Sequence, residues 1–149
     1  MSITVARPAT RTPLAVGVAT LVAFVLSSTY YTVFAEQYAA LLGTPAAAGA
    51  PPVGQVLVEL CRSAVLASVL ALAASRTGTT TARGALGMAL VAFVGFPAVL
   101  LSGSVLWDGV AVPLAVLHGG DWLIKLVVLS LVVVTVRNRP SRQRGAARS

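Results

Sequence analysis

Residues 110–136 read VAVPLAVLHGGDWLIKLVVLSLVVVTV. As a helix these 27 residues rise about 40 Å at 1.5 Å each, more than the roughly 30 Å of bilayer hydrocarbon. Its titratable side chains are His118, Asp121 and Lys125, and nearly everything else is Leu, Val or Ala. Whether such a stretch is a buried core helix or a membrane span depends on how much polar surface the remaining chain supplies.

It supplies little. Of 149 residues 57% are hydrophobic and 10% charged, with a mean hydropathy of +0.89. A soluble domain carries about 25% charged residues, so this composition cannot cover a globular surface and the natural solvent is lipid. The net charge of +7 lies mainly in the tails and one loop, and basic residues beside apolar spans read as topology signals rather than as a nucleic-acid surface. The single cysteine, Cys61, lies in an apolar span and reads as a small packing residue.

Working outward from the last span, three more segments reach membrane length, giving 14–35, 53–75, 84–107 and 110–136 as an all-α, four-span membrane domain over 14–136. Residues 1–13 form an N-terminal tail and 137–149 a basic tail low in apolar residues, expected to be disordered. Of the 11 Lys and Arg residues, Arg62 and Lys125 lie inside spans, which leaves nine. All nine fall in the two tails or between spans two and three, whereas the other two loops hold only Glu36 and Asp108. That bias predicts both termini in the cytoplasm. The first span also resembles a secretory signal ending at Val33-Phe34-Ala35, but its apolar run of about 22 residues exceeds the 7–15 of a signal core, so a retained helix is expected.

Small residues at four-residue spacing predict where helices touch in lipid: Ala15, Ala19, Ala23 and Ser27 in span one, and Ser63, Ala67, Ala71 and Ser75 in span two. Pro97, with Gly95 nearby, predicts a kink in span three. Tyr30, Tyr31, Tyr38 and Trp107 fall near the outer ends of spans and read as interface anchors.

His118, Asp121 and Lys125 share one helical face, with Asp121 four residues before Lys125 in the favourable orientation for an ion pair. Glu59 and Arg62 share a face of span two. Counted from Val53 and Val112, the two sets overlap in depth, at roughly 9–13 Å and roughly 9–20 Å. Two acids and two bases sum to zero, and each would cost about 2.5–3.5 kcal/mol facing lipid alone. The expectation is a shared intramembrane polar cluster, with Asp121 near Arg62 and Glu59 near Lys125 or His118. Such a cluster is either a structural clamp or a proton or ion path. One His and scattered acids predict no metal site and no cofactor. Without GxSxG, HExxH, a P-loop or a dinucleotide fingerprint, no enzyme is expected.

The order of motifs resembles a known family. YYTVFAEQYAALLG (30–43) is similar to a pattern of aromatics, Phe-Gly, Trp and a closing Gly, with Thr32, Ala35 and Tyr38 standing where that pattern has Pro, Gly and Trp. GALGMALVAFVGF (84–96), the turn Trp107-Asp108-Gly109 and HGGDWL (118–123) complete the likeness. Together they resemble the small bacterial four-helix membrane proteins of domain of unknown function 1761. The resemblance implies a bacterial plasma-membrane protein with a retained first helix, and it brings no activity or site residues with it. The functional expectation is a structural or accessory membrane protein acting as a homo-oligomer or with a membrane partner subunit. The alternative is a small proton- or ion-coupled transport unit.

Overall fold

The computed structural model describes residues 11–45, 49 and 51–138, all-helical with connecting turns and no strand among them. Residues 1–10 and 139–149, most of both tails, lie outside the described residues. The helices are α1 (Arg11–Val33), α2 (Ala35–Leu42), α3 (Val53–Arg76), α4 (Ala82–Gly95), α5 (Pro97–Trp107) and α6 (Val112–Asn138). Four passages are long and apolar enough to cross a membrane: Thr12–Val33, Val53–Arg76, Ala82–Trp107 and Val112–Asn138. The third is two helices meeting at Phe96. Pro97 has no N–H to continue the ladder and starts a new helix as its first residue, while Phe96 N–H still donates to Ala92 O at 3.1 Å.

The first apolar passage ends at Val33 rather than Ala35. Phe34 (φ −98°, ψ 18°) breaks the helix, and the short α2 follows. Gly43, at φ 66°, closes α2 in the left-handed conformation that glycine reaches without strain. Gly109, at φ 69°, does the same in the turn between α5 and α6.

The helix read first in the sequence is the centre of the bundle. In its most apolar stretch 44% of α6 is buried, against 17–22% for the other three passages, because α1, α3, α4 and α5 all pack on it. Leu126, Leu129 and Val133 of α6 project into a surface of small residues: Ala19 and Ala23 of α1, Ala67 and Ala71 of α3, and Ala89 of α4. Large side chains on one helix thus fill the space that alanines leave on three others, which permits the close approach that stabilises helices in lipid. The four-residue stripe of α1 is buried from Ala15 to Ser27. In α3 it holds at Ser63, Ala67 and Ala71, but Ser75 is exposed and Ala74 is buried instead. Four residues turn a 3.6-residue helix about 40° too far, so the stripe drifts off the contact within three steps.

The outside is apolar all round. Leu21, Val25, Val65, Val91, Leu100 and Val116 are each more than 60% exposed. Hydroxyls on this surface bond back to their own helix, as Thr29 does to Val25 O, Ser68 to Ala64 O and Ser102 to Val99 O. A polar atom is thereby satisfied without water.

Candidate functional site

His118, Asp121 and Lys125 lie along the first half of α6, where residues of α1, α2 and α3 reach them. Asp121 and Lys125 are four residues apart and so share a face, and both are nearly fully buried. Lys125 Nζ lies 2.5 Å from Glu59 Oε1 of α3 and 3.6 Å from Asp121 Oδ2. Ser27 of α1 donates a 2.6 Å hydrogen bond to Asp121 Oδ1. The Ser63 hydroxyl lies 3.5 Å from Glu59 Oε1, and Arg62 donates to Glu59 Oε2 at 3.0 Å. A continuous polar chain therefore runs Ser27, Asp121, Lys125, Glu59, Arg62, and it joins α1, α6 and α3.

Exposure rises along that chain, from 7% and 6% for the Asp121 and Lys125 side chains to 23% for Glu59 and 57% for Arg62. The enclosed part, two carboxylates around one ammonium, carries a formal charge of −1, and Arg62 at its open end neutralises it. Arg62 does not meet Asp121. It sits three residues from Glu59, about 60° around the helix, so turning Glu59 towards α6 leaves Arg62 on the outer face. There its guanidinium lies 5.7 Å from the Trp122 ring centroid, and Lys125 Nζ lies 5.9 Å from the same ring.

His118 belongs to a separate group. Its Nδ1 shares a 2.7 Å hydrogen bond with Tyr31 Oη, and the rings of Tyr31 and Tyr38 pack against it with centroids 5.9 and 5.8 Å away. Glu59 pairs with Lys125 and not with His118. The Tyr30 hydroxyl donates to Leu117 O at 2.9 Å, passing over Gly120, where no side chain is in the way. Tyr30 and Tyr31 thus turn their hydroxyls onto α6, whereas Trp107 stands 85% exposed at the end of α5. Among the described residues no three His, Cys, Asp or Glu side chains gather where they could hold a metal ion.

Residues 14–134, which include every side chain of the polar chain and the aromatic group, match the family described as protein of unknown function (DUF1761). The chain belongs to that family. No curated protein and no solved structure matches it. The DUF1761 description assigns no reaction, so the chemistry of this member has to come from its own geometry.

Three members of that geometry are not singled out by sequence reasoning as polar partners. Ser27 shows only as one of four small residues in a stripe. Trp122 contacts Arg62 of α3 and Lys125, and its only signal in the sequence is its place between Asp121 and Lys125. The signal for Gly120 is its adjacency to Gly119 alone, with nothing to say that a tyrosine from α1 crosses it.

Proposed function

We propose that this chain is a multi-pass protein of a bacterial plasma membrane, with both termini cytoplasmic, and that its polar chain is a structural clamp setting the register of α1, α3 and α6. On this reading the protein is a non-enzymatic structural or accessory component that works with a second copy or a partner subunit. The observation that carries the reading is Lys125. Its ammonium is enclosed between Glu59 of another helix and Asp121 of its own, and Asp121 is held in turn by Ser27 of a third. In lipid, an arrangement that satisfies each charge with a partner from a neighbouring helix penalises any slip that would separate them.

A second reading, proton or ion coupling, is favoured by one feature: two carboxylates and an ammonium share an enclosed site, and the Tyr31–His118 pair lies one helical turn away. Reconstituted vesicles separate the two. A clamp predicts no proton flux above empty vesicles, with Asp121→Asn lowering stability and leaving the background unchanged. A flux that Asp121→Asn abolishes overturns the clamp as the leading role.

A further inference from the structure

Arg62 is an exposed cation in the middle of an apolar surface. It opens onto a shallow groove of about 550 Å³ that runs along α3 beside Trp122 of α6, lined by Leu57, Val65, Leu66 and Val69 among other α3 residues. One N–H group of its guanidinium bonds Glu59, and its face lies over Trp122. Its other N–H groups have no acceptor among the described residues. Arg62 lies roughly 13 Å along α3 from Val53, and its side chain reaches back one turn towards the helix N-terminus. In lipid such a side chain directs its charge towards the nearer surface while its stem lies on apolar neighbours. From Arg62 to Val69 the groove continues inward for about 10 Å, apolar throughout.

A ligand matching this surface needs an anionic oxygen cluster at the Arg62 end and a hydrocarbon tail along the rest. The guanidinium fork suits a phosphate, which it can grip with two parallel N–H bonds. We propose that the groove along α3 is a phospholipid site, with the lipid phosphate on Arg62 and one acyl chain along Val65, Leu66 and Val69 against Trp122. Arg62 lies in the half of the membrane that holds the α2–α3 and α5–α6 connections, and the apolar end of the groove, at Val69, lies past the middle of α3. It goes beyond the clamp and requires only the membrane placement proposed above. Carbonate-resistant retention of the chain in membranes tests that placement separately.

The test is native mass spectrometry of the full chain released from detergent and titrated with dioleoyl phosphatidylglycerol, with diolein as the partner lacking phosphate. Wild type should hold one phosphatidylglycerol and no diolein. Arg62→Gln should weaken it roughly tenfold, the scale of one charge-assisted hydrogen bond. Val65→Trp, which keeps Arg62 and fills the groove, should weaken it as well, while Arg137→Gln, at the opposite end of the bundle, should not. Wild-type helicity in each variant keeps the comparison valid. Equal binding by wild type and both groove variants overturns the proposal, and so does diolein binding as well as phosphatidylglycerol. Cys61 also lines the groove. Disulfide-linked dimers forming through Cys61 in native membranes would mean that a second copy covers the groove, and would overturn it too.

Discussion

Gly119 and Gly120 are adjacent in α6, and replacing each with alanine should have opposite effects. A Cβ on Gly119 would lie 3.5 Å from Leu101 Cδ1 and 3.9 Å from Phe93 Cζ, which is ordinary contact. There the helix gain of about 0.8–1 kcal/mol for alanine over glycine should be realised, so Gly119→Ala stabilises by up to about 1 kcal/mol. A Cβ on Gly120 would lie 2.5 Å from Tyr30 Oη and 3.4 Å from Tyr30 Cζ. The oxygen must retreat by most of an ångström, and it is held at 2.9 Å by its bond to Leu117 O, on a ring already packed against Phe34. Overpacking costs about 1–3 kcal/mol and the lost hydrogen bond about 0.5–1.5. Against the helix gain this leaves Gly120→Ala destabilising by about 1–3 kcal/mol. Tyr30→Phe removes the offending oxygen, after which the nearest atom stands at 3.4 Å, so Gly120→Ala in that background should be neutral or mildly stabilising. Reversible unfolding of the four variants in mixed detergent micelles measures the coupling, expected at about 2 kcal/mol. A Gly120→Ala cost that is absent in wild type, or unchanged when Tyr30→Phe is present, refutes the close approach of α1 to α6.

Ser130 is fully buried and its hydroxyl has no hydrogen-bond partner among the described residues, so Ser130→Ala should raise stability by about 1 kcal/mol, since a buried unsatisfied polar atom costs about 1–3; a loss of stability in the same unfolding assay would show that the hydroxyl is bonded. Ser27→Ala removes the donor to a buried carboxylate and should cost about 1.5–3 kcal/mol. Ser28→Ala, on an exposed position of the same helix, provides the comparison and should cost less than about 0.5. Thr81, whose side chain accepts from Gly84 N–H at the start of α4, should cost about 1 kcal/mol when changed to alanine and little when changed to serine.

The helices were legible because lipid imposes a length and a composition that no soluble core would need. The break at Phe34 was not, because residues compatible with a helix continue on both sides and no Pro or Gly marks it. Depth along each helix brought Glu59 and Lys125 to one level, and they meet. Depth alone also suggested Arg62 for Asp121, and there it failed, since the rotation of α3 about its axis decides which of two residues 60° apart faces inward. That rotation is set by Ser63, Ala67 and Ala71 lying against the bundle, so the stripe of small residues carried the missing information. The inward turn of Tyr30 and Tyr31 needs the space above Gly120, a property of two helices together that neither segment states alone.

The measurement closest to the central claim is a double-mutant cycle on Glu59→Gln and Lys125→Met, again by reversible unfolding in micelles. Lys125→Met leaves two carboxylates around an apolar side chain, and Glu59→Gln removes the partner of a buried ammonium. Each should cost about 3–5 kcal/mol, as broken buried pairs do. The double variant should recover at least about 2 kcal/mol of the summed loss, though not all of it, because Asp121 keeps Ser27 but has no cation. If the two losses simply add, to within about 0.5 kcal/mol, Lys125 and Glu59 do not act as a pair and the clamp is contradicted.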